Sequence, residues 1–360
     1  MSAPKASSGF RWLRRLLLLG LFGVALAAVG LAWAYSTLDR PFQGYAGEEK
    51  RLTVAAGSGA TAILGQLERE GVLANAFLAR LYLVHGLGDP PLLAGDYLFQ
   101  GPATPRQVLA KLIAGEVIQL TVTVVEGLTF EETADALVAA GFGEKEALLA
   151  AMRSPQPISD LDPEAQDLEG YLFPDTYAFA SGTGSREIVA AMVANFRRRY
   201  QEDVAPKVPA VGGLAMRKLV TLASIVEKEA RLPEEQGLVA AVYRNRLDQG
   251  IGLYADPTVI YALKRLGRWD GNLTRDHLAM DSPYNTYRVG GLPPGPIASP
   301  GLGALLAAAQ PAEVDYLYFV SRNDGSHVFA KTLAEHNRNV DEWQRRYWQR
   351  KWAEERKGSR

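Results

Sequence analysis

The stretch Thr221 to Glu235, TLASIVEKEARLPEE, sets Glu227, Lys228 and Glu229 directly behind an apolar run. A helix turns about 100° per residue, which puts Ala215, Leu219, Leu222, Val226 and Glu229 on one narrow stripe. Glu227 falls about 160° from Glu229, on the side of Ser224 and Arg231, so the two carboxylates cannot serve one site as neighbours. A carboxyl that extends an apolar stripe is desolvated, which raises its pKa toward that of a usable acid. The plain alternative is a helix-end glutamate that reaches solvent, and Glu227 reads as solvated or structurally paired. Ser224 and Lys228, four apart on one face, offer a different chemistry: a Ser-Lys dyad for peptide or acyl hydrolysis. No glycine-rich oxyanion loop adjoins them.

Two later stretches carry turns and polar side chains that helix packing does not require: YADPTVIY at Tyr254 to Tyr261 and SPYNTYRVGGLPPGPIASPG at Ser282 to Gly301. Long ordered loops in compact domains are often functional. Tyr284, Asn285 and Tyr287 supply aromatic faces and an amide, the stacking and directional hydrogen bonding that sugar recognition needs. A tyrosine-pinned structural loop is the alternative. His85, His277, His327 and His336 have no metal-ligand spacing, and the chain lacks cysteine, which excludes disulfides, thiolate chemistry and cysteine-built metal sites. No metal and no cofactor is expected.

These groups need elements to hold them. The chain has 360 residues and a net charge of −1, enough for two or three domains and without a bias toward nucleic acid. Leu16 to Tyr35 is uncharged and long enough to cross a hydrocarbon core of about 30 Å at about 1.5 Å per residue. Arg11, Arg14 and Arg15 precede it, so the tail (1–15) is expected in the cytoplasm and everything after the anchor (16–35) outside. A cleaved signal peptide ending near Ala25-Leu26-Ala27 is the alternative, but the apolar run continues past that point. Ser36 to Glu49 reads as a juxtamembrane linker.

Leu52 to Gly71 and Val122 to Gly141 then form an ungapped repeat sharing Thr53/Thr123, Val54/Val124, Gly57/Gly127, Leu67/Leu137 and Gly71/Gly141. Each copy reads as strand, glycine turn, amphipathic helix and glycine C-cap, with a capping box from Thr129 to Glu132 in the second. Between them fall a helix at Ala76 to His85, a strand at Asp96 to Phe99 and a helix at Pro105 to Ala114 behind a Thr104 cap. The two units look like LysM-type glycan-binding modules over 46–150, or a duplicated scaffold without a binding role. Gly143 to Asp167 reads as a hinge or irregular connection. Beyond it, helices are expected at Ser185 to Arg199, Gly213 to Arg231, Pro233 to Gln249, Pro257 to Leu266 and Gly301 to Ala309. A hairpin joins Tyr316 to Ser321 with His327 to Ala330. A charged end helix carries Trp343, Trp348 and Trp352 and is packed or solvated, a membrane-surface role being the sharper alternative. The fold class is α+β.

Taken together, these residues resemble the MltG (YceG-like) family of membrane-bound endolytic murein transglycosylases. The resemblance rests on the anchor, the LysM-like domain, EGYLFPDTY at Glu169 to Tyr177, ASIVEKEA at Ala223 to Ala230, DPTVIY at Asp256 to Tyr261, YNTY at Tyr284 to Tyr287, GLPPGPIASPG at Gly291 to Gly301 and the terminal YLYFV, HVF and HN. It implies a mainly helical, lysozyme-like catalytic domain over 168–345 with a small β element, and a charged tail over 346–360. The implied activity is cleavage between MurNAc and GlcNAc inside peptidoglycan strands, leaving 1,6-anhydroMurNAc ends and releasing nascent strands, with the catalytic part outside the bacterial inner membrane. The implied catalytic acid is Glu229, with Glu227 as runner-up. Asn285, Tyr284 and Tyr287 would hold the sugar, with Asp256 and Thr258 behind them; Asp256 before Pro257 also reads as a helix cap. Related enzymes follow the acid with Ser or Thr, and Ala230 departs from that pattern. The implied partners are peptidoglycan strands, a neighbouring glycan synthase and the membrane, but no nucleic acid. A membrane-tethered, non-catalytic glycan-binding scaffold is the competing class.

Overall fold

The structure, a computed structural model, describes residues 8–210, 212–349 and 351; Trp352 and the end of the charged tail lie outside the described residues, as do tail residues 1–7. Helix α1 (Ser8–Thr37) begins within the expected cytoplasmic tail and contains the apolar span Arg15–Thr37, which is unburied and long enough to cross a membrane.

The chain forms two compact units. The first reaches to Gln119 and includes Ala180–Gly182; the second takes Leu120–Phe179 and Thr183 onward. In the first, β1 (Glu49–Val54) pairs antiparallel with β2 (Gly95–Gln100), Leu52 opposite Tyr97. Alternate residues Leu52, Val54, Tyr97 and Phe99 face a core closed by α2 (Ala60–Arg69), α3 (Ala76–His85) and α4 (Pro105–Ala114). The Thr104 cap expected from sequence forms, with Thr104 and Gln107 closing a capping box ahead of Pro105, and Asn75, not marked in the sequence, caps α3 by accepting from Leu78 N at 2.9 Å.

The second unit opens with β3 (Gln119–Thr123), which lies beside β4 (Thr176–Ala180). The second copy of the repeat therefore belongs here, not to one domain over 46–150. Val122, Val124, Phe130 and Leu137 join the second core, whereas Leu52, Val54 and Leu67 join the first. The copies still share local form, since Gly57 and Gly127 have φ of +79° and +77°, a turn that side-chain-bearing residues adopt at a cost. Helix α5 (Phe130–Ala139) starts at the Thr129–Glu132 capping box. The expected irregular connection instead contains α6 (Lys145–Met152), whose Leu148 and Met152 are buried.

Then come α7 (Ser185–Arg199), α8 (Met216–Glu229), α9 (Pro233–Asp248), α10 (Asp256–Arg265), α11 (Arg275–Leu278) and α12 (Leu302–Ala309). The hairpin is β5 (Tyr318–Ser321) with β6 (His327–Ala330), followed by α13 (Leu333–Val340). Helix α8 is the central element: Leu219 to Val226 are all buried, and α9 and α12 pack on it.

Gly170 holds the loop before β4 against this centre. Its φ is +84°, and an added Cβ would press on the Pro296 ring and on Val220 Cγ1 at 3.1 Å. Gly170→Ala combines a left-handed alanine with overpacking and should cost about 2 kcal/mol or more, read as a lowered melting temperature. An unchanged melt would contradict this packing.

Candidate active site

Glu229 is the last residue of α8, and Ala230 leaves the helix in extended geometry (φ −87°, ψ 106°). The apolar stripe of Leu219, Leu222 and Val226 carries the glutamate to the helix end among buried groups. The residue is half-buried. Burial pushes its pKa up to about 7, helped by the nearby Asp256 charge and opposed by a hydrogen bond from Tyr243 and by Arg246. Tyr243, on α9 and fully buried, donates its hydroxyl to Glu229 Oε1 at 3.0 Å.

The surrounding residues come from α9, the turn before α10 and the Ser282 to Gly301 loop. Arg246 is buried and fixed by donation from Nε to Leu317 O (2.6 Å) and from Nη1 to Leu253 O (2.7 Å). Its guanidinium lies 5.9 Å from the Tyr254 ring centre and 5.3 Å from that of Tyr318. Asp256 is exposed at the start of α10 and accepts from the Tyr287 hydroxyl at 2.6 Å. The Tyr287 ring stands 5.5 Å from that of Tyr254. Tyr254 is exposed and holds a φ of +52°, a conformation that non-glycine residues rarely keep without a surrounding reason.

Of the residues singled out from sequence, the structure thus gathers Glu229, Asp256 and Tyr287. It places the others elsewhere. Glu227 accepts from Gly301 N at 3.0 Å at the start of α12 and has its pKa raised by burial, with Glu126 nearby; it is a structurally paired carboxylate. Asn285 is 0 % exposed, its amide donates to Leu278 O and Met280 O, and its Oδ1 accepts from Tyr287 N. It holds the loop together rather than facing a cleft. Thr258 is also enclosed, donating to Ala255 O at 2.7 Å beside the Thr286 hydroxyl. Tyr284 lies 5.0 Å from the Tyr261 ring and lines a separate cleft of about 750 Å³ with Asp167, Glu169, Arg217 and Arg265. The Ser-Lys dyad does not form. Ser224 donates to Thr221 O and accepts from Ile297 N, while Lys228 donates to Gly127 O at 2.9 Å.

Sequence reading missed Tyr243, Arg246 and Tyr254. Tyr243 and Arg246 reach Glu229 only through the packing of α9 on α8, which no spacing within either helix reveals. Tyr254 did stand at the head of a stretch already marked by its turns. Tyr243→Phe gives a direct check on the hydroxyl. Its hydrogen bond favours the ionised carboxylate, so losing it raises the Glu229 pKa and moves the alkaline limb of the pH–rate profile to higher pH. A positioning loss of about 1 kcal/mol also lowers kcat several-fold. A pH profile identical to wild type would show that the bond has no hold on Glu229.

A half-buried helix-end acid thus lies near one exposed tyrosine, Tyr254, and one half-buried tyrosine, Tyr287. The YceG-like family profile matches residues 52–342, and the chain belongs to that family. An endolytic murein transglycosylase of Bacillus subtilis is 30% identical over 335 residues, 88% of this chain and 91% of that one. One from Streptococcus pneumoniae is 29% identical over 356 residues, 89% of this chain and 63% of that one. A crystal structure of a YceG-like protein from Listeria monocytogenes aligns with a TM-score of 0.51 and 32% identity, covering 81% of this chain and 98% of that chain.

Proposed function

We propose that the protein is an endolytic lytic transglycosylase that cuts the MurNAc–GlcNAc bond within peptidoglycan strands, with Glu229 as both acid and base. The observation that carries this reading is the Glu229 carboxyl at the end of α8, its pKa pushed up to about 7 by burial and the Tyr243 hydroxyl fixed on it. Protonated Glu229 donates to the glycosidic oxygen as the bond to C1 breaks. The resulting carboxylate takes the proton of the MurNAc 6-hydroxyl, whose oxygen bonds to C1 of its own sugar. The products are a 1,6-anhydroMurNAc end and a new GlcNAc 4-hydroxyl, and Glu229 is protonated again. The nucleophile is intramolecular, so proximity stands in for an activated water. Tyr254 and Tyr287 offer ring faces to the sugars, and Arg246 keeps Tyr254 in place.

We read the N-terminal unit, two strands with three helices, as a LysM-like glycan binder and α1 as a single-pass anchor. Arg11, Arg14 and Arg15 then lie on the cytoplasmic side and both units outside. Tethering at the membrane suits release of nascent strands beside a glycan synthase.

A second reading comes from Asp256, whose charge reaches Glu229. A carboxylate there could serve as base for water, making the enzyme a hydrolase that needs two carboxyl groups. Cleavage of purified murein by Glu227→Gln and Glu229→Gln tests the assignment of the acid. Cutting should persist in the first and vanish in the second. The reverse pattern moves the acid to Glu227, and binding without cutting by wild type favours the scaffold.

A further inference from the structure

Helix α3 has more apolar surface than its own core uses. Its sequence is AFLARLYLVH, yet only Ala79 and Leu83 are buried. Phe77 is 72 % exposed and Leu81 39 %, and a helical projection puts them with Val84 on the face opposite the core. This face continues onto the end of α1. Leu31 and Ala34 of α1, Leu38 just after it, and Leu78, Leu81 and Tyr82 of α3 line an apolar groove of about 180 Å³. The junction is pinned by aromatic and charged contacts. Tyr35 and Tyr82 meet edge to face at 6.2 Å, and the Arg106 guanidinium lies 4.9 and 4.6 Å from their ring centres. Arg106 Nε also donates to Asp39 Oδ1 at 2.7 Å.

The depth of the contact is what identifies the occupant. Leu31 lies four residues before Tyr35, about 6 Å along the helix axis. If hydrocarbon covers Leu16 to Tyr35, a helix that touches Leu31 already sits at the outer hydrocarbon boundary. Trp33 and Tyr35 are exposed at that level, where amphipathic rings favour the interface. Arg106, over the Tyr35 ring and paired with Asp39, stands just past that level, where phosphate headgroups would begin.

We infer that α3 is a second membrane contact, an interfacial helix whose Phe77–Leu81–Val84 face lies in the outer leaflet beside α1, with lipid acyl chains in the groove. This inference rests on the anchor reading of α1. It would hold the first unit at a fixed orientation on the bilayer, not on a free tether.

The chain has no cysteine, so single thiols report cleanly. Full-length protein carrying Phe77→Cys, Val24→Cys or Arg51→Cys is labelled with an environment-sensitive fluorophore and reconstituted in phospholipid vesicles containing spin-labelled lipids. Arg51 is exposed on the strand face away from the helices and serves as the aqueous reference. His85→Cys repeats the reading with Phe77 intact. The inference expects blue-shifted emission at positions 77 and 85, quenched most by lipids spin-labelled near the headgroup. Position 24 should be quenched most by deep labels, and position 51 by neither. Water-like, unquenched emission at 77 and 85 with normal quenching at 24 overturns the α3 contact and leaves the anchor standing. Failure to quench at 24 overturns both.

Discussion

Glu229→Gln should lower glycan cleavage by at least about 10³-fold, because in the proposed mechanism one carboxyl provides both proton transfers. Glutamine is isosteric, and its amide oxygen still accepts from the Tyr243 hydroxyl that binds Glu229 Oε1. The loss would therefore be chemical, with substrate binding and the fold retained. The pH behaviour should change with it. The proposed mechanism starts from the acid form, so the wild-type rate should fall as pH rises past about 7. Stability follows the same proton. The folded carboxyl has a pKa of about 7 against an ordinary value of 4.5, so the fold holds the proton more tightly than the unfolded chain does. Stability from this group is present below about pH 4.5 and declines as pH rises toward 7. The glutamine variant has nothing to ionise there. Melts at about pH 5 and about pH 8 should thus differ less in Glu229→Gln than in wild type. Equal pH sensitivity in both would place the titrating group elsewhere.

Asp162→Ala should be the most damaging substitution for the fold, at about 3–5 kcal/mol. Asp162 is 3 % exposed, and its Oδ2 accepts from the Tyr171 hydroxyl at 2.5 Å and from Arg217 Nη1 at 2.6 Å. Arg217 also donates from Nε to Pro294 O at 2.9 Å. The Asp162–Arg217 pair thus ties together the segment after α6, the loop before β4, the first turn of α8 and the proline-rich loop. Alanine leaves a partly buried guanidinium and a buried phenol without their acceptor. Replacing both members, as in Asp162→Leu with Arg217→Met, should recover much of the loss, because the desolvation cost of the pair goes with it. Denaturant midpoints measure both. A cost below about 1 kcal/mol for Asp162→Ala would mean the pair behaves like one at the surface.

The parts of this protein legible in its sequence are those fixed by local periodicity and capping. The stripe through Leu219, Leu222, Val226 and Glu229 needs only helical angle, and it separates Glu229, which meets Tyr243, from Glu227, which meets Gly301. Helices starting at Thr104 and Thr129 announce themselves through side chains that bond their own backbone. Helix α6 gives no such signal, since Glu144 makes no cap bond, and its burial comes from tertiary packing of Leu148 and Met152. The repeat shows two similar local units but not which core each will join. Asn285 was misplaced for a related reason. An amide in a polar, tyrosine-rich loop looks the same whether it faces sugar or the backbone of its own loop and of the end of α11. Tyr243, Arg246 and Asp256 approach Glu229 through the packing of separate elements, and only the folded chain brings them together.

The end group of the products tests the central claim most directly. Full-length wild-type protein is incubated with purified murein strands and the fragments are weighed by mass spectrometry. If Glu229 acts alone on an intramolecular nucleophile, every new MurNAc end is the 1,6-anhydro form, one water lighter than a reducing end. Reducing ends, with label incorporated from heavy-oxygen water, would contradict that account and assign the attack to a water activated near Asp256.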